Sequence, residues 1–238
     1  MCLHTTPECV LLEIRLRRPR NIYLAVNTHP DISYIINALA QHNATPEPHH
    51  FAPVKHVLHY LVDTLDLWLH YQSDLDDSCL FAYANASWEN ELGCWSVSGY
   101  TWYYARGLIS HVLKKKSTVA LLSTKAEYIA SAHVIQEGLW LWSLFAKLCI
   151  SFASPVPIYL DNTSMITLSS VVKFHQCMKH IDLWYHFIHL CVDNGSFVLI
   201  WVPSHCNPAS FYWTPASLRG YVSIPVICIL LLIPQTIT

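Results

Sequence analysis

The spacing of apolar residues predicts two short helices near the start of the chain. Residues 30–42 open with Pro30, which a helix tolerates in its first turn, and their isoleucines and leucine recur at helical spacing. Residues 54–70 show the same amphipathic spacing after a break that contains prolines. The polar run 72–78 then predicts a linker.

From Leu80 the pattern changes to that of β-strands. Three segments are rich in aromatic and β-branched residues and are divided by turn signals at Glu91–Gly93 and Arg106–Gly107. They predict strands over 80–88, 96–105 and 107–114.

The rest of the chain predicts alternating helices and strands. Ser123 and Thr124 are suitable N-caps for a long helix that continues to about Leu148. Further elements are predicted in this order: a short buried strand over 156–161, a helix opening at Asn162, a helix over 180–192 that ends near Gly195, and a strand over 196–202. This order predicts an α/β domain in which helices pack on a mixed sheet.

Composition adds that the surface carries little charge. Charged residues make up 13% of the chain, against roughly 25% in a typical soluble domain, while apolar residues reach 53%. We therefore expect exposed apolar surface and poor solubility. The net charge of −2 gives no overall basic field.

The cysteines and the apolar tail bear on the compartment. The nine cysteines include no Cys-x-x-Cys pair, which argues against a zinc ribbon or a secreted disulfide framework and favours reduced thiols in an intracellular location, cytoplasm or nucleus. The tail from Tyr221 to Ile237 contains two prolines and falls short of the roughly 20 residues that span a bilayer. We predict an unstructured tail over 218–238 and no membrane partner.

Two carboxylates occupy positions where chemistry is often found. Asp161 ends a buried apolar strand, and sites in open α/β sheets gather at the carboxyl ends of strands. Glu127 is placed in the first turn of the long helix, where the backbone dipole favours a carboxylate. Together they could bind a divalent cation, although an Asp that caps a helix and a Glu in a first turn are also ordinary structural features.

Several motifs, in order, resemble the RNase H domain of copia-type retrotransposon Pol polyproteins. The segment KKKSTVALLSTKAEY resembles the family's Lys-Lys-Gln-x-x-Val-x-Leu-Ser-Ser-Thr-Glu-Ala-Glu-Tyr signature. Other matching segments are FAYANASW (81–88), IYLDNTSMI (158–166), KHIDLWYHFI (179–188) and WVPSHCNPAS (201–210). Upstream, LAVNTHPDISYIINALAQ and VKHVLHYL look like the end of the reverse transcriptase.

This resemblance implies an organisation and a fold. Residues 1–78 would be the remnant of the reverse transcriptase end, a short helical segment, and residues 79–217 an RNase H-like mixed sheet flanked by helices. The implied substrate is an RNA–DNA hybrid, cleaved with two Mg²⁺ ions that four acidic residues hold. Carried over by position, those four are Asn85, Glu127, Asp161 and Ser210, so two of the four acids are missing.

The two missing acids, at Asn85 and Ser210, decide the functional prediction. An amide loses a full charge and cannot bridge two metals, and a serine is too short to replace an aspartate, so we expect hybrid cleavage to be absent or much reduced. Other positions where the family commonly has Arg show His, Cys or Trp, among them Trp142 and Trp184. The alternatives are a module that binds hybrids without cleaving them and a residually active Mg²⁺-dependent ribonuclease.

Nucleic-acid contacts would fall on basic residues. The run Lys114, Lys115 and Lys116 precedes the long helix and suits either phosphate contact or a solvated turn. Lys179 and His180 belong to the Lys-His-Ile motif of the family and are the other predicted contacts.

Overall fold

The computed structural model describes residues 22–42, 45, 47–66, 69, 71, 79–87, 97–115, 123–151, 154–162 and 182–211. The chain divides after residue 68 into two compact units. In the described residues, no helix is both long enough and apolar enough to cross a membrane.

The first unit is helical, as the apolar spacing predicts. Its elements are α1 (22–27), a 3-10 turn (Pro30–Ile32), α2 (Ser33–Gln41), a second 3-10 turn (Pro48–His50) and α3 (Phe51–Asp63). A small core joins them: Ala25, Ile32, Ile35, Ile36 and Val57. The buried Ser33 hydroxyl donates a hydrogen bond of 2.8 Å to the Ala25 carbonyl, which ties α2 to α1.

The position of α3 differs from the sequence prediction. It begins at Phe51 and ends at Asp63, whereas the apolar spacing predicts a helix over 54–70. Pro48 starts a 3-10 turn that leads directly into the helix, so the helix begins inside the proline-containing segment that was predicted to precede it. The Thr64 hydroxyl donates to the Tyr60 carbonyl at the other end.

The second unit is a five-stranded mixed sheet with helices. The elements are β1 (Phe81–Ser87), β2 (Val97–Tyr104), β3 (Gly107–Lys115), α4 (Ser123–Lys147), β4 (Val156–Leu160), α5 (Asp182–Asp193), β5 (Phe197–Trp201), a 3-10 turn (Ser204–Cys206) and α6 (Pro208–Phe211). The strand order is β3-β2-β1-β4-β5. β2 pairs antiparallel with β1 and β3, and β4 pairs parallel with β1 and β5. The predicted fold class, α/β with a mixed sheet flanked by helices, is confirmed.

The main core lies between the sheet and α4. Alternate residues of β4 are buried, because successive side chains of a strand point to opposite faces. Helix α4 approaches the sheet closely at Gly138, where a Cβ atom would lie 2.6 Å from the Trp102 ring and 2.8 Å from the Phe197 ring. Trp102 and Phe197 are both fully buried, so this contact fixes the height of the helix above the sheet.

The strands also carry an aromatic cluster made of Phe81, Tyr83, Tyr103 and Tyr159. The rings of Tyr83 and Tyr159 stack with centroids 4.9 Å apart, and those of Phe81 and Tyr103 stack at 5.2 Å. Burial raises the pKa of the Tyr103 phenol to about 12 and also raises the pKa of Tyr83 and Tyr159. These phenols are therefore neutral at physiological pH, and they fix the relative position of β1, β2 and β4.

Candidate functional site

The carboxyl ends of β1 and β4 bring Asn85 and Asp161 together. The two strands are parallel neighbours, with Ala84 opposite Leu160, and Asn85 and Asp161 are the next residues of the chain. Neighbouring strands lie about 4.8 Å apart, so the two backbones are adjacent at this edge of the sheet. Both residues are half-buried.

Asp161 has a local partner. The Ser204 hydroxyl donates a hydrogen bond to its carboxylate. Burial raises the pKa of the Asp161 carboxyl above its ordinary value, and the hydrogen bond from Ser204 acts in the opposite direction. A nearby cation stabilises the charged form of such a half-buried carboxylate, because it compensates the negative charge that burial destabilises.

A second hydrogen bond joins the segment after β5 to β1. Asn207 is fully buried, and its side-chain amide donates a hydrogen bond of 3.0 Å to the carbonyl of Ala84, the residue before Asn85. Its side-chain oxygen accepts from the backbone N–H of Ala209, also at 3.0 Å, so Asn207 caps α6. The short helix lies against β1 and β2. Position 210 is thereby brought to the end of β1 that carries Asn85.

Sequence reasoning missed Ser204 and Asn207. Ser204 carries no signal of its own in the sequence. Asn207 has one, because an Asn directly before a Pro matches the N-cap and first-turn preferences of a helix. That signal predicts the cap but not the hydrogen bond to β1, which joins residues 123 positions apart.

Glu127 lies on α4, which packs against β1 and β2. The helix begins at Ser123 and has no acidic residue in its first turn, so the predicted stabilisation of Glu127 by the first-turn dipole is wrong. The side chains of Glu127 and Ser210 lie outside the described part of the structure, and their membership of the site stays a prediction.

Of the predicted basic contacts, the structure describes Lys114, which is exposed near the end of β3. The strand register sets Lys114 opposite Ser98 and Ser98 opposite Ala86, the residue after Asn85. Lys114 therefore lies at the same end of the sheet, two strands from Asn85 and three from Asp161, and on the sheet face of Ala86, which is opposite that of Asn85. The Lys115 side chain and all of Lys116, Lys179 and His180 lie outside the described residues.

Within the described residues, no group of three or more His, Cys, Asp or Glu side chains is placed to hold a metal ion. The pair found here consists of one carboxylate and one amide. Both offer hard oxygen atoms of the kind that Mg²⁺ prefers, but they supply a single formal negative charge.

Comparison with known proteins identifies the family. The chain is 36% identical over 196 residues to the retrovirus-related Pol polyprotein from transposon RE2 of Arabidopsis thaliana, and 35% identical over 200 residues to that from transposon RE1 of the same plant. A third relative, the Pol polyprotein from transposon TNT 1-94 of Nicotiana tabacum, is 32% identical over 189 residues. Over about four fifths of its length, the chain is homologous to a segment of the Pol polyproteins of copia-type retrotransposons.

The matches cover 79–84% of this chain and 13–14% of the length of the three Pol polyproteins. No protein-family model matches the chain. Similar solved structures include LC11-RNase H1, with a TM-score of 0.43 and 11% identity over 61% of this chain and 99% of that one. RNase H1 from Halobacterium salinarum gives a TM-score of 0.39 and 10% identity over 59% of this chain and 97% of that one.

Proposed function

We propose that this copia-type Pol segment is an RNase H-like domain whose cleavage of RNA–DNA hybrids is lost or reduced by orders of magnitude. The observation that carries the proposal is that an amide residue, Asn85, stands near the end of β1 at the position next to Asp161 on the neighbouring parallel strand. The family pattern has an aspartate at the position of Asn85.

The chemistry depends on negative charge at this edge of the sheet. Two divalent cations need bridging carboxylates, and an amide offers one neutral oxygen in place of a charged, bidentate group. With serine at position 210, two formal charges replace four, and two Mg²⁺ ions would remain poorly compensated. The donor set does not fit a two-metal centre. It fits one weakly held Mg²⁺ ion, with an expected dissociation constant above roughly a millimolar.

The test is a cleavage assay on a labelled RNA–DNA hybrid with the full chain in Mg²⁺ and, separately, in Mn²⁺. We expect no product beyond that formed by the Asp161→Ala variant, because the retained acids do not complete the centre. Cleavage by the natural chain that Asp161→Ala abolishes would contradict the proposal and would establish the active ribonuclease instead. A calorimetric titration with Mg²⁺ that gives a micromolar dissociation constant would show that other ligands replace the lost acids.

A second candidate is a module that binds hybrids without cleaving them. It is favoured by the exposed Lys114 at the same end of the sheet as Asn85, where its ammonium group can contact a phosphate. Binding of this kind weakens steeply with salt, so we expect the affinity for a hybrid to fall as salt rises and to fall further in Lys114→Gln. Lys55→Gln, in the helical first unit, is the matched control. Absence of any binding at low salt would leave the inactive remnant as the function.

For the remaining segments, we propose that residues 1–78 correspond to the end of the reverse transcriptase. The helical first unit is consistent with this assignment but does not test it. Expression of residues 79–217 alone provides the test, because an RNase H-like domain with its own core should fold without the reverse transcriptase remnant. Failure of that fragment to show a cooperative unfolding transition would contradict the assignment.

A further inference from the structure

The segment 204–207 is joined by its side chains to two different strands. Ser204 donates to the carboxylate of Asp161, which follows β4, and Asn207 donates to the carbonyl of Ala84, which precedes Asn85 on β1. Between these two contacts lie only His205 and Cys206 of the 3-10 turn. One short turn therefore bridges the carboxyl ends of both strands that carry the candidate site.

The Asn207 contact is built into the interior of the unit. Asn207 has no exposed surface, and its neighbours Pro208 and Ala209 are also buried. A buried amide persists where its hydrogen bonds are satisfied, and here the N–H group and the oxygen each have a backbone partner. Removal of the amide would leave the Ala84 carbonyl without this donor, immediately beside the site.

A cap alone does not explain this arrangement. Capping α6 uses the side-chain oxygen of Asn207 and needs no contact with β1, and serine or aspartate would serve as well. The amide N–H group is the additional feature, and it points to a residue 123 positions earlier in the chain. Because α6 follows at once, this hydrogen bond sets the distance between position 210 and the end of β1.

We propose that Ser204 and Asn207 are positioning residues that latch the segment 204–211 across the ends of β1 and β4 and so hold positions 85, 161 and 210 together. The latch does not depend on the identity of residues 85 and 210, so it preserves the geometry of a cation site after two of its carboxylates are lost. The inference rests on the proposed function for the location of the site, but its test is metal binding and not cleavage.

The experiment measures Mg²⁺ and Mn²⁺ affinity by calorimetry on the full chain carrying Asn85→Asp and Ser210→Asp. If the latch holds the positions together, the two carboxylates should raise the affinity at least tenfold over the natural chain, an order-of-magnitude expectation from ligand charge. Adding Asn207→Leu should remove most of that gain. Asn194→Leu makes the same change at an exposed position and should keep it.

Further variants separate positioning from stability. Asn207→Ser retains a helix cap but is too short to reach the Ala84 carbonyl, so it should lose the gain even if Asn207→Leu does not fold. Ile188→Val lowers stability within the buried core and should leave the affinity unchanged. Ser204→Ala should weaken binding several-fold, and Ser204→Thr should restore it, because threonine keeps the hydroxyl group.

Two results would overturn the inference. One is an unchanged cation affinity in both Asn207→Ser and Ser204→Ala. The other is no gain in affinity when the two carboxylates are introduced, because the positions would then not be held together. Hybrid cleavage by the natural chain would refute the proposed loss of activity but would leave the result of this titration intact, so the two proposals can fail separately.

Discussion

Gly138 offers a direct test of how α4 is seated on the sheet. A Cβ atom at this position would lie 2.6 and 2.7 Å from two carbon atoms of the Trp102 ring and 2.8 Å from one of the Phe197 ring. Carbon atoms pack best at about 3.5–4.0 Å, so alanine requires a shift of about 1 Å from two fully buried rings or from the helix. Both rings are fully buried, and protein interiors are close-packed, so we expect little room for either ring to shift.

Two effects of opposite sign compete in Gly138→Ala. Alanine is favoured over glycine inside a helix by about 1 kcal/mol. Overpacking of a well-filled core typically costs about 1–3 kcal/mol, and a contact with two aromatic rings belongs at the upper end of that range. The net expectation is a loss of about 1–2 kcal/mol in the free energy of unfolding.

Urea denaturation followed by far-ultraviolet circular dichroism measures this loss. Ala146→Gly, at an exposed position in the last turn of the same helix, reports the propensity effect without a packing change and should cost no more than about 1 kcal/mol. Trp102→Phe shortens the ring that Gly138 contacts, so the double variant with Gly138→Ala should be more stable than additivity predicts, by about 1 kcal/mol. A gain in stability for Gly138→Ala on its own would refute the close approach of helix and sheet.

Four further predictions follow from other parts of the molecule. Asn85→Asp with Ser210→Asp should cleave an RNA–DNA hybrid slowly in Mg²⁺ while each single change recovers little, because a two-metal site acts as a unit; equal activity of a single variant would contradict this. The Arg106 backbone has a φ of +59° in the turn between β2 and β3, so Arg106→Gly should raise the free energy of unfolding by about 0.5–1 kcal/mol. A lower free energy of unfolding, measured by denaturation, would argue against this turn. Partial burial lowers the pKa of His50; His49 and His42 shift it in the same direction and Glu47 in the opposite direction. The stability that depends on neutral His50 is complete above the ordinary pKa of 6.5 and is lost as the pH falls below that value. Hydrogen exchange in α3 should show this loss in the natural chain but not in His50→Gln. Residues 79–217 alone should give more soluble monomer than the full chain because the apolar tail is removed, and equal yields would contradict that expectation.

The sequence predicts the sheet well because its strands carry clear local signals. The alternation in β4 and the aromatic runs of β1 and β2 are properties of neighbouring residues, and the structure places those strands within one or two residues of their predicted limits. The end of α5 is predicted for the same reason, because Gly195 adopts a φ of +68° just after the helix.

What the sequence does not predict depends on contacts between distant parts of the chain. The seating of α4 requires Gly138, Trp102 and Phe197 to meet, and no local pattern joins them. The hydrogen bond from Asn207 to Ala84 has the same character. The adjacency of Asn85 and Asp161 lies between these cases, because the family resemblance implies it and the parallel pairing of β1 with β4 gives it a geometry.

Two of the positions where the family resemblance predicts arginine, 142 and 184, carry tryptophan in this chain and bear on both packing and the proposed function. Trp142 and Trp184 are partly buried and pack against the main core, Trp142 edge-on to Phe197 at 6.0 Å and Trp184 against the His133 ring at 5.7 Å. An aromatic ring at the margin of a core gains apolar contacts that a charged side chain would not make. The same substitution removes a cation that could contact phosphate. We therefore expect such a replacement to preserve packing at the margin of the core and, under the proposed hybrid binding, to weaken contact with phosphate. Reversal at Trp184 should accordingly strengthen hybrid binding at low salt while lowering the free energy of unfolding, and an increase in both would show that the ring contributes nothing to the core.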